Sequence, residues 1–280
     1  MKKILILGDK RRKKIRDTIE ELEPLFRKRA DLSIIDLSQE DETEELSADL
    51  AFVFGGDGAI LAANRKLCGK QIPIIGVHMG KFGFLAELTP LTISQSLDKI
   101  FTGKYVISQR MLLTCQLVRS NKIIKKTVGL NDAVVSRTSF SRLILIKLYI
   151  NGTEVTTYSC DGLIISAPAG STAHSLSAGG PILTPDLDAF LITPICPHTL
   201  TNRPLVVSSD SKIEMEQVSQ SKGVGLTVDG QIYVDIITGD KIIVEKAKER
   251  LLMVNTQTRT FYDVLRAKLN WRGQPTYDVN

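Results

Sequence analysis

An apolar run that ends abruptly in glycines constrains this chain most. Leu50-Ala51-Phe52-Val53-Phe54 is followed at once by Gly55-Gly56-Asp57-Gly58. Consecutive apolar residues without polar alternation predict a strand buried on both faces, and the glycines predict a tight turn at its end. The turn carries one carboxylate and three residues with no side chain to block close approach. Backbone N–H groups in such a turn can meet phosphate oxygens while the acid faces a hydroxyl.

The first hundred residues repeat this theme. Strands are predicted at 4–7, 33–37, 50–54 and 72–77, and helices at 12–29, 59–67 and 92–101. In the first helix Ile15, Ile19, Leu22 and Phe26 recur at spacings of three and four, as on one helical face. Strands alternating with helices predict a parallel sheet covered by helices, with ligands beyond the carboxyl ends of its strands. Both glycine-rich turns, at Gly55 and after Gly76, fall on that side.

From residue 104 the pattern becomes short runs of Ile, Val, Leu and Thr. Asn151-Gly152 and Asp229-Gly230 are hairpin signals. Ile213 and Met215 alternate with Glu214 and Glu216, as on a half-exposed strand. Small polar residues interrupt the strands at 170–180, and helical spacing returns with Phe261, Leu265 and Leu269. The expected architecture is an N-terminal α/β domain with a parallel sheet (1–102), a β-rich C-terminal domain (103–254), and a terminal helix with a polar, mobile tail (255–280).

Composition narrows the function. A net charge of +5 over 280 residues suits a protein handling small anions and does not demand nucleic acid. Aromatic residues make up 6%, too few for a stacking platform, so no nucleic-acid partner is expected. Cys68, Cys115, Cys160 and Cys196 are far apart with no C-x-x-C pair, which argues against zinc and fits reduced thiols in a cytoplasm. Met1-Lys2-Lys3 and the short apolar run after it are the first strand rather than a leader. No stretch approaches the roughly 18–20 apolar residues of a membrane span. The basic run at 10–14 with Arg16 and the acidic run at 40–45 read as solvated faces or loops. The basic run follows the first strand, so proximity to a bound triphosphate stays open.

No G-x-x-x-x-G-K-[ST] loop occurs, and Gly76, Gly80 and Gly83 lack the spacing of a dinucleotide fingerprint. Three other segments add chemistry. Residues 76–85 read Gly-Val-His-Met-Gly-Lys-Phe-Gly-Phe-Leu, and Leu130-Asn131-Asp132-Ala133-Val134 follows. Residues 161–181 read Asp-Gly-Leu-Ile-Ile-Ser-Ala-Pro-Ala-Gly-Ser-Thr-Ala-His-Ser-Leu-Ser-Ala-Gly-Gly-Pro and lead to Thr193-Pro194-Ile195-Cys196-Pro197-His198-Thr199-Leu200. Taken singly, Asn131-Asp132 is a turn and Asp161-Gly162 a hairpin. His174 beside Ser171 and Ser175 lacks a G-x-S-x-G elbow, so hydrolase chemistry is disfavoured. His78 and His198 read as structural, and no residue is nominated as a metal ligand.

In their order, these segments resemble the NAD kinase family, and the resemblance runs from the first strand to the last helix. It implies a dinucleotide held between two domains and transfer of the ATP γ-phosphoryl group to the 2′-hydroxyl of the adenosine ribose of NAD. Asp57 matches the family's catalytic aspartate and, with Gly58, contacts NAD. Gly55, Gly56 and Gly58 match its phosphate-approaching glycines. Asn131 and Asp132 match the pair that holds adenosine. Thr172, Ala173, His174, Ser175, Leu176 and Ser177 match the adenine-side loop. Asp161 matches an aspartate that reaches the nicotinamide half across a subunit interface, and Arg142 and Gln231 align with further NAD contacts. The resemblance also implies a homo-oligomer, dimer or tetramer. We expect a divalent cation, Mg²⁺, held by phosphates and water. Departures are Ala59 for threonine, His78 for asparagine, Asp132 for glutamate, Ala167 and Ala169 for threonines, His174 for tyrosine, and Ser159 for arginine. The shared glycine turn leaves open a lipid kinase of the same superfamily, and the departures around Ala59 and His174 leave open a non-catalytic NAD(P) sensor.

Overall fold

The computed structural model describes residues 1–39, 46–80, 83–138, 143–199, 201–220, 223–257 and 259–271. The acidic run at 40–45, Arg142 and the polar end at 273–280 lie outside the described residues. Strands β1 (Lys2–Gly8), β2 (Ala30–Asp36), β3 (Leu50–Gly55) and β4 (Ile74–His78) pair in parallel in the order β2-β1-β3-β4. Helices α1 (Lys13–Arg27), α2 (Asp57–Lys66) and α3 (Pro90–Phe101) cover this sheet. Ile4, Ile6, Phe52 and Phe54 pack on one face with Ile15, Ile19 and Phe26 of α1 and Ile93 and Leu97 of α3. Leu5, Leu7, Ala51 and Val53 pack on the other face with Ile60 and Leu61 of α2. Burial on both faces is why these strands carry unbroken apolar runs.

The β-rich part follows as β5 (Val106–Arg119), β6 (Lys122–Gly129), β7 (Asp132–Arg137), β8 (Ile144–Ile150), β9 (Thr153–Cys160) and β10 (Gly162–Ser166). A 3₁₀ turn (Pro168–Thr172) and the short α4 (His174–Ser177) interrupt it, where the small polar residues broke the strand pattern. Next come β11 (Ala189–Ile195), β12 (Leu205–Ser208), β13 (Ile213–Gln217), β14 (Val224–Val228), β15 (Ile232–Ile236), β16 (Lys241–Asn255) and α5 (Phe261–Leu269). β7, β10, β11, β12, β14 and β15 make one antiparallel sheet in the order β12-β11-β10-β7-β14-β15. β5, β8, β13 and β16 extend the first sheet instead. β16 pairs with β5 from Lys241 to Asn255 and with β13 over Lys241–Val244, and its Met253 pairs in parallel with Ile74 of β4. The parallel and antiparallel regions thus share one sheet. Leu113, Ile146, Met215 and Val244 of that sheet pack against Val135, Leu163, Phe190 and Leu226 of the other.

Both hairpin signals form as such. Asn151 and Gly152 have φ of 51° and 79°, and Asp229 and Gly230 have 53° and 62°. Two successive left-handed residues make the turn whose twist matches antiparallel strands. No helix among the described residues is long and apolar enough to cross a membrane.

Candidate active site

β3 ends at Gly55, and α2 starts at Asp57 with Gly56 as its N-cap. The helix therefore begins two residues before the predicted Ala59, and Asp57 occupies its first turn. A Cβ on Gly55 would lie 2.4 Å from the Ala59 Cβ, so this glycine lets the turn fold onto its own helix. A Cβ on Gly56 would meet nothing within 4 Å, and Gly56 and Gly58 are exposed, so the outer side of the turn is open. The Asp57 carboxylate is clasped from the second glycine-rich segment. Phe84 N–H donates to Oδ2 at 2.8 Å and Leu85 N–H to Oδ1 at 3.1 Å. Only glycine fits at 83, because a Cβ there would stand 2.0 Å from Asp57 Oδ1. Each carboxylate oxygen has two acceptor sites, so both amide bonds leave room for a hydroxyl.

The Asn131-Asp132 turn is anchored by a residue that sequence reasoning took only for a hairpin turn. The Asp229 carboxylate accepts backbone N–H bonds from Leu130 at 3.0 Å, Asn131 at 2.8 Å and Asp132 at 3.3 Å. Asp229 N–H returns a bond to the Asp132 carbonyl at 2.9 Å. Asp132 and Asp229 are 4% and 6% exposed, so two carboxyls share one buried site. Burial, then the neighbouring Asp229 charge, pushes the Asp132 carboxyl up to about 7. Burial raises Asp229 as well, while the three amides and the Arg65 charge pull it back. Arg65, on α2, is held below its usual range by burial and supported by the Asp229 charge.

Gln231 links this cluster to the glycine turn. Its Nε2 donates to the Gly58 carbonyl at 2.8 Å, and its Oε1 accepts from Arg65 Nη2. One chain of contacts thus runs from Gly58 through Gln231 and Arg65 to the charge of Asp229, and from Asp229 to Asn131 and Asp132. The sequence named Gln231 but carried no local signal for Arg65 or for the Asp229 side chain. The partners of Asp229 lie 97–99 residues away in the chain.

The loop at 172–177 is tied to the same turn. The Asn131 carbonyl accepts from Ala167 N–H at 2.9 Å and Ser166 Oγ at 3.1 Å, just before the 3₁₀ turn. Thr172, Ala173 and Leu176 are half-buried, and His174 and Ser177 are exposed. The Ser175 side chain points inward instead, and its hydroxyl bonds Thr193 Oγ1 at 2.8 Å. A cleft beside this loop is walled by Phe84, Leu85, Pro168, Ala169, Thr172 and the start of α5.

Asp161 does not join the cluster within one chain. β7 and β10 are antiparallel, with Ser166 opposite Asp132 and Gly162 opposite Ser136. Asp161 therefore sits at the far end of β10, roughly 17 Å along the strand from Ser166. There its Oδ1 lies 2.8 Å from Arg137 Nε. Among the described residues no three His, Cys, Asp or Glu side chains converge in a way that could hold a metal ion. Asp57 with the open outer side of the turn suits a cation brought in on phosphate oxygens, which needs few protein ligands.

Comparison with known proteins gives this arrangement its family. The ATP-NAD kinase N-terminal domain family matches residues 8–105, and the ATP-NAD kinase C-terminal domain family matches residues 130–256. An NAD kinase of Geobacter metallireducens is 43% identical over 80% of this chain and 79% of its own length. An NAD kinase of Carboxydothermus hydrogenoformans is 40% identical over 94% of each. An NAD kinase from Archaeoglobus fulgidus, solved in complex with ATP, superposes with a TM-score of 0.75 at 26% identity, covering 97% of this chain and 100% of that one. Yeast NADH kinase complexed with NADH shares the fold, with a TM-score of 0.84 at 24% identity over 99% of this chain and 90% of that one. Both halves of the fold, the glycine turn of one and the Asn131 turn of the other, fall inside these matches, and the chain belongs to the ATP-NAD kinase family.

Proposed function

We propose that this chain phosphorylates NAD at the 2′-hydroxyl of its adenosine ribose, using ATP and releasing NADP and ADP. The observation that carries the reading is the Asp57 carboxylate, fixed by the Phe84 and Leu85 amides and linked through Gly58 and Gln231 to the Asn131-Asp132 cluster. Asn131 and Asp132 hold the adenosine part, and the half-buried loop at Thr172 and Ala173, with exposed His174 and Ser177, lines the base. Gly55, Gly56 and Gly58 let the phosphates come close. Asp57 accepts a hydrogen bond from the 2′-hydroxyl and takes its proton late in the transfer. The new bond joins the 2′-oxygen to the γ-phosphorus as the bond from that phosphorus to the β–γ bridging oxygen breaks, and ADP departs.

A divalent cation, Mg²⁺ in our reading, would ride on the donor phosphates near Asp57 and offset their charge when bound. Asp161, a strand's length from the cluster, serves the nicotinamide half of a neighbouring subunit in a homo-oligomer, with Arg142 and Gln231 as further contacts. We divide the chain at 102/103 and 254/255 and assign it to the cytoplasm, where thiols such as buried Cys115 and Cys160 stay reduced. The test is incubation of the purified protein with ATP, NAD and Mg²⁺, with phosphorus NMR of the product. A 2′-phosphate signal is expected. NAD binding without NADP formation would overturn the reading and favour a sensor.

A further inference from the structure

We infer that the basic run after β1 is the subsite for the condensed phosphate chain of the donor. This rests on the kinase reading above and extends it to the donor side. Lys10, Arg11, Arg12, Lys13, Lys14 and Arg16 crowd into seven positions. β1 and β3 are parallel with Gly8 opposite Phe54, so this run leaves the sheet beside the Gly55-Gly56 turn. A direct link confirms the proximity: Lys14 Nζ donates to the Met79 carbonyl at 2.8 Å, and Met79 N–H donates to the Gly55 carbonyl at 3.3 Å.

The faces of the sheet set the direction of transfer. α1 packs on one face, with Ile15 and Ile19 against Phe54. The acceptor cluster lies on the other, where Leu130 and Leu85 pack with Ile60 and Leu61 of α2. Phosphoryl transfer proceeds with the attacking and leaving oxygens in line, so the donor must approach from the side opposite the acceptor hydroxyl. The basic run opens the helix on the α1 face, away from the acceptor cluster. The first turn of α1 contains no acid, and cations at a helix N-terminus oppose the helix dipole, so the fold itself does not call for so many. Asp9 pairs with Arg11 and lies 3.6 Å from Arg12. Asp36 takes the backbone N–H of Lys10. Arg11 and Lys14 spend their side chains on Asp9 and the Met79 carbonyl, which leaves Lys10, Arg12 and Lys13 as the cations to test.

The test is the triple variant Lys10→Gln/Arg12→Gln/Lys13→Gln. Lys122→Gln/Lys125→Gln/Lys126→Gln, on β6, controls for net charge. Removing three phosphate-facing charges should raise the KM for ATP about tenfold or more, and the wild-type KM should climb with ionic strength more steeply than the variant's. Inorganic tripolyphosphate as inhibitor, and polyphosphate as alternative donor, separate a phosphate-chain subsite from one that reads the nucleoside. Parallel losses for ATP and tripolyphosphate are expected, with the KM for NAD within about twofold of wild type. An unchanged KM for ATP, an equal rise in the KM for NAD, or a loss for ATP alone would overturn the inference. Calorimetric binding of tripolyphosphate to both proteins keeps the two readings apart. If the wild type makes no NADP, the proposed function fails, and weakened tripolyphosphate binding in the variant still supports the subsite, whereas equal binding overturns it.

Discussion

Asp229→Ala removes the acceptor that holds the Asn131-Asp132 turn, and its cost can be worked from the contacts. Three backbone N–H groups point at this carboxylate, at 3.0, 2.8 and 3.3 Å, in a site where Asp229 is 6% exposed. Two of the bonds are short, and the third is long enough to count little. A buried N–H left unpaired costs about 1–3 kcal/mol, so the two short bonds set a range of about 2–6 kcal/mol. Relief of a buried charge beside Asp132 offsets part of this, giving a net loss of about 2–4 kcal/mol. Asp229→Asn keeps the oxygen that serves Asn131 and Asp132 and loses the Leu130 bond, for about 1–2 kcal/mol. Urea unfolding measures both. The functional consequence is separate: a turn displaced by about 1 Å can cost up to 10²-fold in rate. The KM for NAD should therefore rise about tenfold or more in the alanine variant, with the asparagine variant between it and wild type. Loss of under about 0.5 kcal/mol in the alanine variant, with an unchanged KM for NAD, would refute the anchoring role.

Other expectations follow from the same site. Gly83→Ala drives a methyl into the Asp57 carboxylate, whose oxygen lies 2.0 Å from the required Cβ position. Turnover should fall by about 10² or more while the melting temperature stays within a few degrees; normal turnover would show the carboxylate can move aside. Asp132 responds to pH in the opposite sense to a salt-bridged acid. Its folded value of about 7 lies above the unfolded one, so the folded chain keeps a proton that the unfolded chain releases. The stability it contributes is full below about pH 4 and declines as pH rises to 7, by up to ~4 kcal/mol. The melting-temperature difference between wild type and Asp132→Asn should shift against wild type from pH 4.5 to 7.5, and a pH-independent difference would contradict this. Gln231→Ala loses the bonds to the Gly58 carbonyl and Arg65, and a stability loss of about 1 kcal/mol with a raised KM for NAD is expected from urea unfolding and kinetics.

Much of this architecture was legible because its signals are local. The spacing of Ile15, Ile19, Leu22 and Phe26 puts them on one helical face, and all four are buried. The turn residues Asn151-Gly152 and Asp229-Gly230 announced hairpins because only left-handed residues make that turn. β2 starts at Ala30, earlier than predicted, because its register with β1 begins at Lys2 rather than where apolar residues cluster. β16 hides its period-2 pattern at the irregularity between Lys246 and Arg250. At the site, Gly58 beside Asp57 is linked through Gln231 and Arg65 to Asp229, which anchors Asn131 and Asp132, while Asp161 lies elsewhere in the same chain. The Asp229 side chain and Arg65 carry no local signal because their partners are distant in sequence, and a turn signal explains Asp229 without its carboxylate. Ser175 belongs by sequence to the loop, yet its hydroxyl is turned inward onto Thr193 of β11.

Asp57 is the group we propose takes the 2′-hydroxyl proton. Its most direct measurement is single-turnover NADP formation by Asp57→Asn, with NAD affinity read by calorimetry on the same protein. A positioned general base contributes about 10²–10⁴ in rate, or roughly 3–5 kcal/mol. Turnover should drop by at least that factor while the dissociation constant for NAD stays within about threefold, since we propose that Asn131 and Asp132 hold the adenosine part. NADP formation at the wild-type rate in Asp57→Asn would contradict the central claim.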